Sequence, residues 1–111
     1  GKVVSYDPPE SGSAAIDIQN VLPDSAKVVS AYHNIPAKGL ANFEKPLDYD
    51  VVICGDDDEA KAIVSKLTEE MPSLKAIDAG PLEISSMIEA ITPLIINMNK
   101  KHKHEFSIKF I

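Results

Sequence analysis

The sequence predicts an α/β domain, a small and mainly parallel sheet with flanking helices. Three observations carry this. Val51-Val52-Ile53-Cys54 is a near-continuous apolar run between Asp50 and Gly55, the pattern of a strand covered on both faces. Apolar residues recur at helical spacing at Ala60, Ile63, Val64 and Leu67, and again from Ile84 to Met98. Strand-like and helix-like segments alternate, which implies parallel pairing through right-handed crossovers. The 111 residues suit a single α/β domain, 1–111, with a modest core.

The lead-in, ending in Asp7-Pro8-Pro9-Glu10, reads as irregular because its prolines withhold donors from helix and ladder alike. Ser11-Gly12-Ser13 offers an N-cap. Ala14, Ala15, Ile18, Val21 and Leu22 follow at helical spacing, and Pro23-Asp24 ends the helix. Lys27 to Tyr32 is β-rich and stops at Asn34-Ile35-Pro36. Residues 36–44 read as a short helix or a turn. After the strand at 50–55, Asp56 to Glu59 open a helix that ends before Pro72. Leu74 to Ala79 is a third strand. Gly80-Pro81 then starts a long helix with an apolar stripe of Ile84, Met87, Ile88, Ile91, Leu94, Ile95 and Met98. Pro93 predicts a kink in it, or a restart with Thr92 as cap. Phe106, Ile108 and Phe110 alternate with Ser107 and Lys109, the pattern of a terminal strand with one buried face.

Charge narrows the partners. A net charge of −6 argues against nucleic acid or an anionic membrane, which need a basic surface. The local exception, Lys100-Lys101-His102-Lys103-His104, reads first as a solvated helix end where cations favour the dipole, with a phosphate contact as the alternative. The single cysteine, Cys54, lies inside the apolar run and reads as a buried small hydrophobe rather than a nucleophile. With no disulfide possible within the chain, no signal-peptide pattern and no long apolar span, the expected location is cytoplasmic.

Ligands of open parallel sheets bind beyond the carboxyl ends of the strands. Three such ends can be read: His33-Asn34-Ile35-Pro36-Ala37, Gly55-Asp56-Asp57 and Asp78-Ala79-Gly80-Pro81. Parallel pairing would bring them to one crevice. The glycine-rich pyrophosphate loop is missing, since no two of Gly1, Gly12, Gly39, Gly55 and Gly80 stand at its spacing. Asp56-Asp57-Asp58 invites a metal. Acids at a helix start are equally stabilised by the dipole, and capping is the preferred reading, with no metal assigned. His33 has no partner at metal spacing and reads as a positioning residue. A phosphorylated receiver-like domain would need a lysine at a later strand end, whereas Lys75 stands at a strand start.

Lys27 to Ala37, Val52 to Lys61, Asp78 to Glu83 with Glu89 to Leu94, and the ending Ser107 to Ile111 together resemble the NADP oxidoreductases that use coenzyme F420, a 5-deazaflavin. The blocks occur in family order and span nearly the whole chain. The resemblance implies the C-terminal part of a Rossmann-type enzyme, with the N-terminal NADP-binding unit outside the chain. It implies hydride transfer between reduced F420 and NADP, and a homodimer. It implies cofactor-binding roles for His33, Asn34, Ile35, Pro36, Ala37 and Thr92. Ile35 and Ala37 would supply an apolar wall, His33 a hydrogen bond, and no side chain need act as acid or base. The isolated chain would be inactive. Ser86 and Ala90 depart from the family pattern, which often carries arginine and serine there. The alternative is a non-catalytic module for ligand binding or dimerisation.

Overall fold

We describe residues 3–35 and 48–111 of a computed structural model. The elements are α1 (Ala14–Val21), β1 (Val29–Ser30), β2 (Tyr49–Gly55), α2 (Asp58–Glu69), β3 (Leu74–Gly80) and α3 (Ser85–His102). A 3-10 turn, Leu82–Ile84, leads into α3. The helix or turn expected at 36–44 lies outside the described residues.

β2 is the centre of the sheet, between β1 and β3. Its alternating side chains divide the core in two. Val51 and Ile53 face one way, into a cluster with Ile35 and Leu74 that Val64 of α2 helps to cover. Val52 and Cys54 face the other way, against Ile88, with Ile84, Ile91 and Ile108 around them. Residues 51, 53 and 54 have no accessible surface. The two-sided burial read from the apolar run is thus present, and Cys54 is a buried core residue.

The α/β class holds, but the sheet is mixed. β2 and β3 are parallel. β1 and β2 are antiparallel, with Val29 opposite Gly55 and Ser30 opposite Cys54. The apolar pattern of a strand carries no direction, and antiparallel neighbours need no crossover helix between them. β1 is also shorter than the β-rich stretch. Tyr32 adopts a left-handed conformation (φ 68°), which ends the extended backbone.

Three other expectations change. α3 runs unbroken through Pro93. The missing N–H costs about 3 kcal/mol in a helix interior, and tertiary contacts on both sides outweigh it. Ile88 and Ile91 pack on the sheet, and Asn97 exchanges two hydrogen bonds with the backbone of Val4. The terminal segment 106–110 forms no strand. Asp50 N–H donates to the Ile108 carbonyl, and then the Asp50 carboxylate, rather than a backbone carbonyl, takes the Phe110 N–H. A side chain in that place stops a ladder from growing. Finally, much of the helical apolar pattern faces outward: Val21 is 82% exposed, Ile63 62% and Met87 65%. Of the apolar positions read on α1, Ala15 is the buried one.

Candidate functional site

The antiparallel β1 separates the three chain segments expected to share one crevice. Gly55 to Asp57 and Asp78 to Pro81 lie at the carboxyl end of β2 and β3. The chain leaving β1 runs the other way, so that Asn34 reaches Asp50 near the amino end of β2. The sheet therefore has two polar ends, with different chemistry.

At the amino end stands a turn in which Ile35 N–H donates to the Tyr32 carbonyl at 3.1 Å. It is pinned from three sides. The Tyr32 hydroxyl meets Thr68 of α2 at 2.6 Å. The Thr92 hydroxyl of α3 donates to the His33 carbonyl at 3.1 Å. The Asn34 amide donates to the Asp50 carbonyl at 2.7 Å and to Ser107 Oγ at 3.3 Å, while the Ser107 hydroxyl donates to the Asn34 carbonyl. Toward the other end of β2, where Ser30 pairs with Cys54, the Ser30 and Ser85 hydroxyls meet at 2.6 Å, both residues buried.

Two polar atoms on this turn are buried without a partner, His33 Nδ1 and Asn34 Oδ1. Buried polar atoms are nearly always paired, and an orphan costs about 1–3 kcal/mol. The amide orientation of Asn34 is dictated by its neighbours, because Asp50 O accepts and Ser107 Oγ has already given its proton away. Its oxygen is therefore the atom left free. Adjacent residues thus leave one acceptor and one ring nitrogen buried and unpaired, on a turn that begins with a strained residue. Strain of this kind gathers where a protein holds something else.

Of the six residues expected to bind cofactor, the turn brings together His33, Asn34 and Thr92. Ile35 belongs to the core cluster. Pro36 and Ala37 lie outside the described residues. Ser107 and Tyr32 complete the turn and were not singled out by sequence. Ser107 falls on the polar positions of an alternating segment, where a solvent-facing side chain is the ordinary reading. Ser86 donates to the Glu83 carbonyl at 3.1 Å in a local, exposed contact at the start of α3.

At the carboxyl end the acids serve the fold. Asp57 caps α2 by accepting from Ala60 N–H at 2.8 Å. Asp56 accepts from Leu82 N–H at 3.0 Å and from Gln19. Asp78 accepts from Gly80 N–H at 2.8 Å and from Lys61 at 3.1 Å. No group of three metal-ligating side chains gathers among the described residues. The stem of Lys61 crosses Gly55 so closely that a Cβ there would lie 3.0 Å from Lys61 Cγ. Glycine at 55 makes room for the lysine that holds Asp78.

The Gly80 N–H and then Lys61 hold the Asp78 carboxyl below its ordinary value, and Asp78 in return raises Lys61. A carboxyl so depressed stabilises the fold above the ordinary carboxylate pKa. That contribution disappears as pH falls through the lower folded value. The raised lysine contributes below its ordinary pKa and is lost as pH rises past it. Lys61→Met is therefore expected to shift the acid limb of stability to higher pH. Urea midpoints measured from about pH 2.5 to 7 read this. An unchanged acid limb would contradict the pairing.

No protein-family model matches the chain. Curated relatives do. A protein of Methanocaldococcus jannaschii is 47% identical over 95 residues, covering 86% of this chain and 42% of its own length. One from Methanothermobacter marburgensis is 38% identical over 104 residues, covering 93% and 46% respectively. Both are named F420-dependent NADP reductase. A crystal structure from Arthrobacter sp. FB24, described as a candidate F420-dependent NADP reductase, shares the fold with a TM-score of 0.79 at 24% identity, over 96% of this chain and 50% of that one. The chain spans somewhat less than half the length of the curated relatives it matches, and over 86–93% of its own length it is similar in sequence to proteins named F420-dependent NADP reductase.

Proposed function

We propose that this chain is the C-terminal part of an oxidoreductase that moves a hydride between reduced coenzyme F420 and NADP, and that the Tyr32–Ile35 turn faces the two coenzymes. The observation that supports it most is the pair of orphaned atoms, His33 Nδ1 and Asn34 Oδ1. A heterocycle or a carboxamide with both donors and acceptors along its edge would satisfy them. Bound deazaflavin and nicotinamide supply the hydride chemistry themselves. The chain's part is to position and to keep water out. Thr92 fixes the His33 backbone, Asn34 and Ser107 lock one another, and Tyr32 anchors the turn to α2. No side chain here acts as acid or base.

In this reading the grip on NADP lies in a glycine-rich unit outside the chain, and the chain alone is inactive. The enzyme works in the cytoplasm as a homodimer. The test is NADPH-driven bleaching of oxidised F420 by the full-length source protein, beside the 111 residues alone. The full-length protein is expected to bleach it and the chain is not. His33→Ala in the full-length protein is expected to lower kcat/KM for F420 by about tenfold or more, equivalent to about 1.4 kcal/mol. Full activity from the chain alone, or an unaffected His33→Ala enzyme, would overturn this.

A second reading, a non-catalytic pairing module, has its own observation. Met87, Leu94 and Met98 share one face of α3 and are 65%, 56% and 36% exposed. A full-length protein that sediments as a dimer and shows no affinity for F420 would favour it.

A further inference from the structure

We infer that the run Lys101–His104, at the end of α3, is a binding site for a multiply charged small anion of phosphate or carboxylate chemistry, adjoining the Tyr32–Ile35 turn. The run is basic within a chain of net charge −6. A solvated helix end would explain cations in the last turn. It does not explain how these residues are held.

Lys103 occupies the left-handed position that closes the helix (φ 51°, ψ 43°), where glycine or asparagine is the usual residue. A lysine there accepts conformational strain to place a cation beyond the helix end. Asn99 folds the following chain back. Its carbonyl accepts from Lys103 and His104, and its side chain accepts from Phe106 N–H at 2.7 Å. One of the terminal carbonyls that would repel an anion is thereby occupied. The His102 and His104 rings both stand edge-on to Phe106, at 5.7 and 5.1 Å. Lysines and histidines are thus arrayed on a folded-back scaffold and remain exposed to solvent. The acid next in sequence is Glu105, half-buried, whose charge adds to burial in raising the Tyr49 hydroxyl pKa.

The scaffold is continuous with the candidate site. Phe106 carries the histidines, and the next residue, Ser107, is bonded to Asn34. Consecutive Cα atoms lie about 3.8 Å apart. The two sites therefore share a boundary, and an anionic extension on a ligand held at His33 and Asn34 would run onto the basic run. The inference stands without the coenzyme reading, because simple anions test it.

The experiment is an amide chemical-shift titration of the 111-residue chain with tripolyphosphate and, separately, with citrate. Saturable shifts confined to Lys101–Ser107 are expected with at least one of them, and the preferred anion identifies the source as phosphate or carboxylate. Lys101→Glu with Lys103→Glu should weaken binding about tenfold or more, while Lys66→Glu with Lys75→Glu, both exposed elsewhere, should change it less than about twofold. Lys103→Gly should raise Tm by a few degrees and weaken binding together, because it relieves the strain and removes the charge. Two results would overturn the site: no saturable shift with either anion up to about 10 mM, or equal weakening by the distant pair.

Discussion

Ile53→Ala is expected to destabilise the chain by about 2–5 kcal/mol, the range for truncating a fully buried aliphatic side chain. Ile53 has no accessible surface, and it sits on the middle strand of a three-stranded sheet, packed with Val51, Leu74 and Ile35. Few other groups can move into the space it would leave, because β1 beside it is two residues long. Small domains have net stabilities of about 5–15 kcal/mol, so the variant should lose much of its margin. Ile63→Ala is the matched control. Ile63 is 62% exposed, and its truncation should cost less than about 0.5 kcal/mol. Urea unfolding of both, with m unchanged, reads the difference. Equal losses would mean that α2 presents Ile63 to a buried surface.

The contrast between these isoleucines marks what sequence could and could not reveal. Val51 to Cys54 were legible because a strand covered on both faces needs apolar residues at every position, and little else in a short soluble chain does. Asp57 as a cap was legible because its chemistry is local: its acceptor reaches three residues ahead. Ile63 and Val64 were not separable, since both lie within one apolar stripe, and only the packed structure shows which edge faces the sheet. The direction of β1 was hidden for a deeper reason. Alternation and branching specify that a segment is extended, while direction is set by partners distant in sequence. That single reversal moves His33 and Asn34 to the opposite end of the sheet from Gly55 and Asp78. His33, Asn34 and Ile35 of the turn were legible through family resemblance, whereas the anchoring by Tyr32 and Ser107 is visible only in the structure. The orphaned Asn34 oxygen exists only because Asp50 and Ser107, 16 and 73 residues away, claim the other groups of that residue.

Asn34 is accordingly where fold and candidate site share one side chain, and its replacement should separate them. Asn34→Ala removes the donor to the buried Asp50 carbonyl and the acceptor's fixed orientation together. Leaving a buried carbonyl unpaired costs about 1–3 kcal/mol, and a loss of about 2 kcal/mol is expected. The Ser107 hydroxyl still reaches the Asn34 main-chain carbonyl in that variant, so the two positions are only partly redundant. Ser107→Ala should cost about 1 kcal/mol, and the double variant should differ from the sum by about 0.5–1 kcal/mol, as residues in one network do. Strict additivity would show that the amide and the hydroxyl act independently. Hydrogen exchange gives a local reading of the same coupling. Asp50 N–H donates to Ile108 and Phe110 N–H to the Asp50 carboxylate, so loosening Asn34 should speed exchange at both amides before it affects Val51 or Ile53. A variant that loses stability globally, with no selective change at residues 50 and 110, would place Asn34 in the general core and leave the turn without the rigid clamp that its orphaned oxygen requires.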